Sequence, residues 1–263
     1  MHDVDSARGQ SKCRELMALE VRMGFRSLFS FVPEDYEVSA ALRHDLVRNG
    51  FEIGVHGLKH DGKLFVSKKA FARQAERINH YLKVWKSVGF VSPSMHHNLD
   101  WMHELNIEYD TSTFDTDPFE PQPDGIGTIF PFAVPGNNGH AGYIELPYTL
   151  PQDFTLFVLM QEKNIDIWKR KLDWIAERGG MALVITHPDY MNGNNRSTVE
   201  EYPMAFYKEL LDYIKDKYKG RYWHPLPKEI ARFWSGNTAA KRGEFQTKRR
   251  PKSRERVTSL KGS

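Results

Sequence analysis

Cysteine is nearly absent from this chain of 263 residues, because Cys13 is the only one. A single thiol excludes an internal disulfide framework and any zinc site with several thiolates, so metal ligands would have to be His, Asp or Glu. Long apolar runs are also missing: no stretch of about 18 apolar residues, the length of a membrane helix, occurs. No basic, apolar leader precedes Asp3, so we expect no membrane span, no secretory signal and a cytoplasmic protein.

Charge is distributed unevenly along the chain. Hydrophobic residues make up 40% of it, enough for the core of a large α/β domain. Residues 236–263 contain nine Lys or Arg and two Glu, a net of +7, so with +3 overall the rest carries −4. The tail lacks apolar periodicity, which predicts disorder. We therefore expect one folded domain in residues 1–235 and a basic tail in residues 236–263, which could touch RNA or anionic surfaces weakly but, as a solvated terminus, more often binds nothing specific.

The main chemical pattern is a pair of histidines, His56 and His60, directly after a predicted buried strand. On one helical turn, side chains at this spacing lie one above the other, so both imidazoles can bind one ion. In the extended N-terminal segment, alternation points Asp3 and Asp5 the same way. We hypothesise that Asp5, His56 and His60 hold a divalent metal beside Asp3 as the base. Such a ligand set accepts Zn, Co, Mn or Ni.

The histidine pair and the acidic pair each also have an explanation that involves no metal. Eleven histidines produce some pairs at this spacing by chance. Aspartate is common in turns and at helix N-caps, so the acidic pair could be structural. The metal site therefore stays a hypothesis at this point.

Strands and helices alternate along the sequence. This order predicts a parallel sheet with right-handed crossovers, either open or closed into a barrel, with its chemistry at the carboxyl ends of the strands. Predicted strands cover 26–32, 51–55, 90–92, 143–146 and 181–186, and predicted helices cover 13–23, 38–48, 68–85, 99–105, 164–178, 199–218 and 226–234. Pro93, Ser94, His96 and Asp110 follow strand ends and are candidate substrate-binding residues. A Pro- and Gly-rich loop over 115–135 is expected to cover the site.

The chemical motifs resemble those of the polysaccharide deacetylase family, which is also called the NodB-homology family or carbohydrate esterase family 4. The resemblance spans about residues 1–234. His-Asp-Val-Asp at 2–5 is similar to the first motif of one branch, and His-x-x-x-His at 56–60 to the second motif. The Arg-x-Pro motif falls on residues 91–93, and the Leu-x-x-His motif falls on residues 184–187.

The resemblance implies a deformed (β/α) barrel that removes acetyl groups from N-acetylated sugars. By likeness, a zinc-like ion on Asp5, His56 and His60 would activate water, Asp3 would be the general base, and His187 would protonate the leaving amine. An amine leaves poorly unless it is protonated, so a second proton-handling group is chemically required. A capping role for His187 before Pro188 is the alternative.

Two departures from the family pattern favour weaker activity. The third motif begins with Val91, where the family has an arginine that pairs with the base. The first strand looks truncated, so we expect Asp3 and Asp5 to lie on a frayed terminus. Besides a metal-dependent deacetylase, the sequence thus allows an inactive, carbohydrate-binding homologue. It also allows a nucleic-acid or membrane-surface adaptor that uses the basic tail.

Overall fold

Strands and helices alternate in the computed structural model, which describes residues 1–115, 125–137, 139–194 and 198–236. Most of the predicted tail, and residues 116–124 of the predicted loop, lie outside this part of the chain. No helix within the described ranges has the length and apolar character needed to cross a bilayer.

Seven described strands form one sheet in the order β1-β2-β3-β4-β5-β7-β6. Neighbouring strands are parallel, except that β6 and β7 are antiparallel. The strands are β1 His2–Val4, β2 Leu28–Phe31, β3 Glu52–Val55, β4 Gly89–Phe90, β5 Tyr109–Asp110, β6 Phe132–Val134 and β7 Tyr143–Glu145, and a small second sheet pairs β8 Met191–Asn192 with β9 Tyr202–Pro203. The predicted α/β class with a mainly parallel sheet is confirmed.

Five α-helices flank the sheet in the described residues, beside a further one over residues 227–236. They are α1 Ala7–Met23, α2 Ala40–Arg48, α3 Lys68–Trp85, α4 Asp166–Glu177 and α5 Met204–Lys217. Helix α1 begins well before the predicted start at Cys13, because the Ser6 side chain accepts the backbone N–H groups of Arg8 and Gly9. It ends as predicted at Gly24, whose φ of 82° is the left-handed conformation of a helix C-cap.

Shorter helical segments complete the chain. They are the 3₁₀ turns Pro93–Met95, Trp101–Glu104 and Pro188–Tyr190 and the π-helix Phe154–Leu159. The predicted helix over 199–218 begins later, at Met204, because the residues just before it pair as β9.

The β1 edge of the sheet is hydrogen-bonded to a segment late in the chain. Thr186 N–H donates to Met1 O at 3.1 Å, and Asp3 N–H donates to Thr186 O at 3.0 Å. Since His2–Val4 also pairs with β2 and is buried, the expected frayed terminus is wrong. Residues 181–186 form only one β-bridge, from Thr186 to His2, instead of the predicted full strand.

The two faces of the sheet carry different side chains. On β2, Leu28 packs with Val91 and Ile185 in one apolar cluster. Phe29 and Phe31 belong to a second cluster that includes side chains of α1 and α2. Because strand residues alternate between faces, Ser30 lies on the same face of the sheet as Leu28 and its cluster.

Candidate metal centre

Asp5, His56 and His60 meet just beyond the carboxyl ends of β1 and β3. One ligand atom of each, a carboxylate oxygen or a ring nitrogen, lies within 4.8 Å of the other two. His56 Nε2 is 3.4 Å from Asp5 Oδ1. His56 is buried, Asp5 is half-buried and His60 is exposed, so the group opens to solvent on one side. Two imidazoles and one carboxylate with an open side are typical of catalytic zinc sites.

The two histidines converge without a helix between them. Residues 56–60 form a turn between β3 and α3, so the predicted helical turn is wrong. Gly57 has a φ of +65°, and a Cβ there would lie 2.5 Å from Pro93 Cγ. This tight glycine turn against Pro93 brings the two ring centroids to 5.7 Å.

His56 is oriented by a backbone carbonyl of the neighbouring strand. Its Nδ1 lies 3.0 Å from Val91 O and is the donor in that contact, since a carbonyl can only accept. The other ring nitrogen, Nε2, then presents its lone pair towards Asp5. A second hydrogen bond that fixes the tautomer in this way is a common feature of metal-binding histidines.

Asp5 carries a buried carboxylate oxygen that lacks a hydrogen-bond partner. Among the described residues, Oδ1 accepts no hydrogen bond. Burial alone would raise the pKa of Asp5, but the neighbouring His56 imidazole and the nearby charge of His187 hold it below its usual value. Buried oxygens are normally satisfied, so an ionised oxygen left open beside two imidazoles fits a bound cation.

Asp3 is 1% exposed and is as deeply buried as His56. Its Oδ1 accepts a hydrogen bond from the Ser30 hydroxyl on the adjacent strand. Within the described ranges, no lysine or arginine forms an ion pair with Asp3. Val91, where the resemblance leads one to expect an arginine, has its side chain in the apolar cluster of Leu28 and Ile185.

His187 is held by a buried carboxylate that the sequence did not single out. Asp153 accepts hydrogen bonds from the His187 backbone N–H and Nδ1, both at 2.7 Å, and from Tyr202 Oη at 2.8 Å. Burial lowers the pKa of His187, but the charges of Asp153 and Asp5 outweigh it and raise the pKa to about 10. Since Nδ1 is engaged, Nε2 is the nitrogen left to exchange a proton with a ligand.

Asp189 accepts hydrogen bonds from residues next to the candidate metal centre. Its Oδ2 accepts Asp5 N–H at 3.1 Å, and its Oδ1 accepts Gly9 N–H at 3.2 Å and the Ser6 hydroxyl. One carboxylate thereby joins the start of α1 to the backbone of a candidate metal ligand.

The four candidate substrate-binding residues lie in different environments. Pro93 is buried against Gly57, whereas Ser94 and His96 are exposed. Asp110 is fully buried and holds Ser112, whose Oγ accepts Ser92 N–H at 2.8 Å. Asp110 therefore supports the loop that carries Pro93 and Ser94, and its own side chain is not exposed to solvent.

Comparisons with known proteins support the fold. No family model and no curated protein matches the sequence. A structure described as a polysaccharide deacetylase from Mycobacterium smegmatis superposes with a TM-score of 0.66 at 15% identity, covering 88% of this chain and 78% of that one. The allantoinase PuuE has a TM-score of 0.60 at 18% identity, with 86% and 74% covered.

A third similar structure is a CE4 family pseudoenzyme from Bacillus anthracis. It has a TM-score of 0.52 at 10% identity, covering 87% of this chain and 63% of that one. A mutant of that pseudoenzyme is described as having restored enzymatic activity. At such identities the likeness concerns the fold, and the chain has the α/β fold of the polysaccharide deacetylases. The resemblance read from the motifs therefore agrees with the structure comparison.

Proposed function

We propose that this chain is a metal-dependent hydrolase of the polysaccharide deacetylase family, which removes N-acetyl groups from amino-sugar oligosaccharides or polysaccharides. The observation that carries the proposal is the meeting of Asp5, His56 and His60 within 4.8 Å, with one buried Asp5 oxygen lacking a hydrogen bond. A divalent ion held there, zinc or alternatively cobalt, manganese or nickel, would polarise the amide carbonyl and make water a better nucleophile.

Asp3 and His187 divide the proton transfers in this proposal. Asp3 is buried beside the candidate ligands and accepts the proton of the attacking water. His187 is kept protonated by Asp153 and gives its Nε2 proton to the departing amine. Amide hydrolysis needs both steps, because an unprotonated amine is a very poor leaving group. Ser94 and His96, exposed in the loop after β4, would contact the sugar.

Acetate release tests this function directly. The purified protein is assayed on chitin-type, peptidoglycan-type and exopolysaccharide substrates with added Zn²⁺, Co²⁺, Mn²⁺ or Ni²⁺. We expect release that is lost on His56→Ala and Asp3→Asn and unchanged on His44→Ala, an exposed histidine of α2. Absence of acetate from every substrate and metal would contradict the proposal.

A catalytically inactive, carbohydrate-binding homologue is the second candidate. It is favoured by the buried, apolar Val91 where the family has the arginine that pairs with the base. Val91→Arg distinguishes the two. If the wild-type chain binds N-acetylated sugar without cleaving it and Val91→Arg gains acetate release, this second candidate holds. If the wild-type chain turns over substrate, it fails.

The domain division, the basic tail and the cellular location also belong to the proposal. The domain of residues 1–235 would carry the activity, and the basic tail would contact anionic surfaces weakly. A cytoplasmic location and a role in bacterial carbohydrate metabolism stay predictions of the sequence.

A further inference from the structure

Asp3 has an unusual environment for a buried carboxylate. It is 1% exposed, and in the described part of the chain its side chain forms no ion pair with lysine or arginine. The Ser30 hydroxyl donates to Oδ1. A buried carboxylate with few donors depends strongly on each of them, because burial limits the water that could replace a lost hydrogen bond.

The backbone fixes Ser30 opposite Asp3. The two residues are partners in the parallel register of β1 and β2, and Ser30 is fully buried. Its Oγ donates to the Asp3 carboxylate and also lies 3.3 Å from His2 O. The hydroxyl is therefore directed at the carboxylate by a strand that is paired on both sides.

Gly54 on β3 provides the space that Ser30 occupies. It pairs in register with Ser30. A Cβ at position 54 would lie 3.2 Å from Ser30 Cβ and 3.0 Å from Leu28 Cδ1, closer than ordinary packing allows. A larger residue at position 54 would push the serine away from its place beside Asp3.

We propose that Ser30 is a positioning residue for Asp3, whose hydroxyl orients the carboxylate in a site where position 91 supplies no cation. This inference rests on the proposed function, in which Asp3 accepts the proton of the attacking water. Ser30 touches neither water nor substrate in this role. Its contribution is the orientation of the base.

The kinetic test compares Ser30→Ala with the hydroxyl-retaining Ser30→Thr. Ser87→Ala is the matched control, because Ser87 is another buried serine that forms a hydrogen bond. Its Oγ donates to Gly89 O at 3.2 Å, at the amino end of β4, whereas the candidate site lies at the carboxyl ends of the strands. We expect Ser30→Ala to lower kcat roughly 10- to 100-fold, the effect of losing one hydrogen bond to a charged group. KM and zinc affinity should stay within about twofold, and Ser30→Thr should recover most of the turnover.

A second measurement does not depend on activity. Urea unfolding midpoints are recorded for Ser30→Ala, Asp3→Ala and the double variant. If the hydroxyl and the carboxylate are coupled, Ser30→Ala lowers the midpoint less when Asp3 is already absent.

The outcomes separate this inference from the proposed function. An active wild-type protein, inactive Asp3→Asn and fully active Ser30→Ala would overturn the Ser30 inference alone. No acetate release from any variant or metal would overturn the proposed function, and the unfolding cycle would then decide the inference. Additive shifts in that cycle would contradict the positioning contact, and non-additive shifts would support it.

Discussion

At the residue scale, Asp153 controls the proton on His187 although it is not a candidate metal ligand. Asp153→Asn keeps the size of the side chain and removes its charge. Since the carboxylate raises the pKa of His187 to about 10, its loss should lower that pKa. The alkaline limb of the kcat profile should then move to lower pH, with kcat reduced about 100-fold at pH 8.

Tyr202→Phe is the control for this change. It removes one hydrogen bond to Asp153 and keeps the negative charge. We expect the alkaline limb to stay within about half a pH unit of the wild-type position. Identical pH profiles for Asp153→Asn and the wild type would show that His187 does not donate the proton.

Glu52 offers a test of stability at a residue outside the catalytic set. Burial raises its pKa from 4.5 to about 6, although Lys228 N–H and Tyr109 Oη donate to it. The folded state therefore keeps the proton at pH values where the unfolded state has lost it. As pH rises from 4 to 7, the free energy of unfolding should fall by about 2 kcal/mol through this group.

Glu52→Gln should abolish that decrease. Relative to the wild type, the variant should gain about 2 kcal/mol between pH 4 and pH 7, measured by urea unfolding at each pH. A constant difference between the two proteins across this range would contradict the assignment of the raised pKa.

A site residue could be predicted from the sequence where it belongs to a short motif of neighbouring residues. Asp3, Asp5, His56 and His60 were proposed because each belongs to a short motif. Ser30, Asp153 and Asp189 were not singled out as supporting residues, since each acts on a partner at least 27 positions away. Only the register of strands and the packing of loops bring them together.

At the element scale, the turn at residues 56–60 brings His56 and His60 together, where the sequence predicted a helical turn. Gly57→Ala tests this turn against Gly62→Ala. Both glycines have a positive φ, but a Cβ at Gly62 has no neighbour within 4 Å, whereas one at Gly57 would strike Pro93. Both variants should lose about 1–2 kcal/mol of stability through backbone strain, and Gly57→Ala should lose more because of the clash with Pro93.

Only Gly57→Ala should also weaken zinc binding, by roughly tenfold or more, because displaced ligands bind a metal less well. Isothermal titration calorimetry measures this difference. Equal zinc affinities for the two variants would show that the turn does not position His56 and His60.

The end of a helix could be predicted where a residue next to it in sequence caps it. The end of α1 at Gly24 was predicted from the preference of glycine for a left-handed C-cap. Its start was missed, because Ser6 and Asp189 cap it together and Asp189 is distant in sequence. The pairing of β9 with β8 likewise depends on a contact between separate segments rather than on periodicity.

At the scale of the whole molecule, charge separates the domain from its basic tail. Deleting residues 236–263 removes a net charge of +7 from a chain whose overall charge is +3. We expect acetate release and zinc affinity to stay within about twofold, and retention on an anionic heparin column to be lost. Unchanged retention would rule out the tail as the anion-binding segment, and a loss of zinc binding would contradict the proposed domain division.

A crystal soaked in Zn²⁺ and recorded at the zinc absorption edge tests the metal centre most directly. We predict one anomalous peak about 2.0–2.2 Å from an Asp5 carboxylate oxygen, His56 Nε2 and a His60 ring nitrogen, and no peak there in His56→Ala. Zinc bound elsewhere, or no peak at these three residues at saturating concentration, would contradict a hydrolytic metal site in this protein.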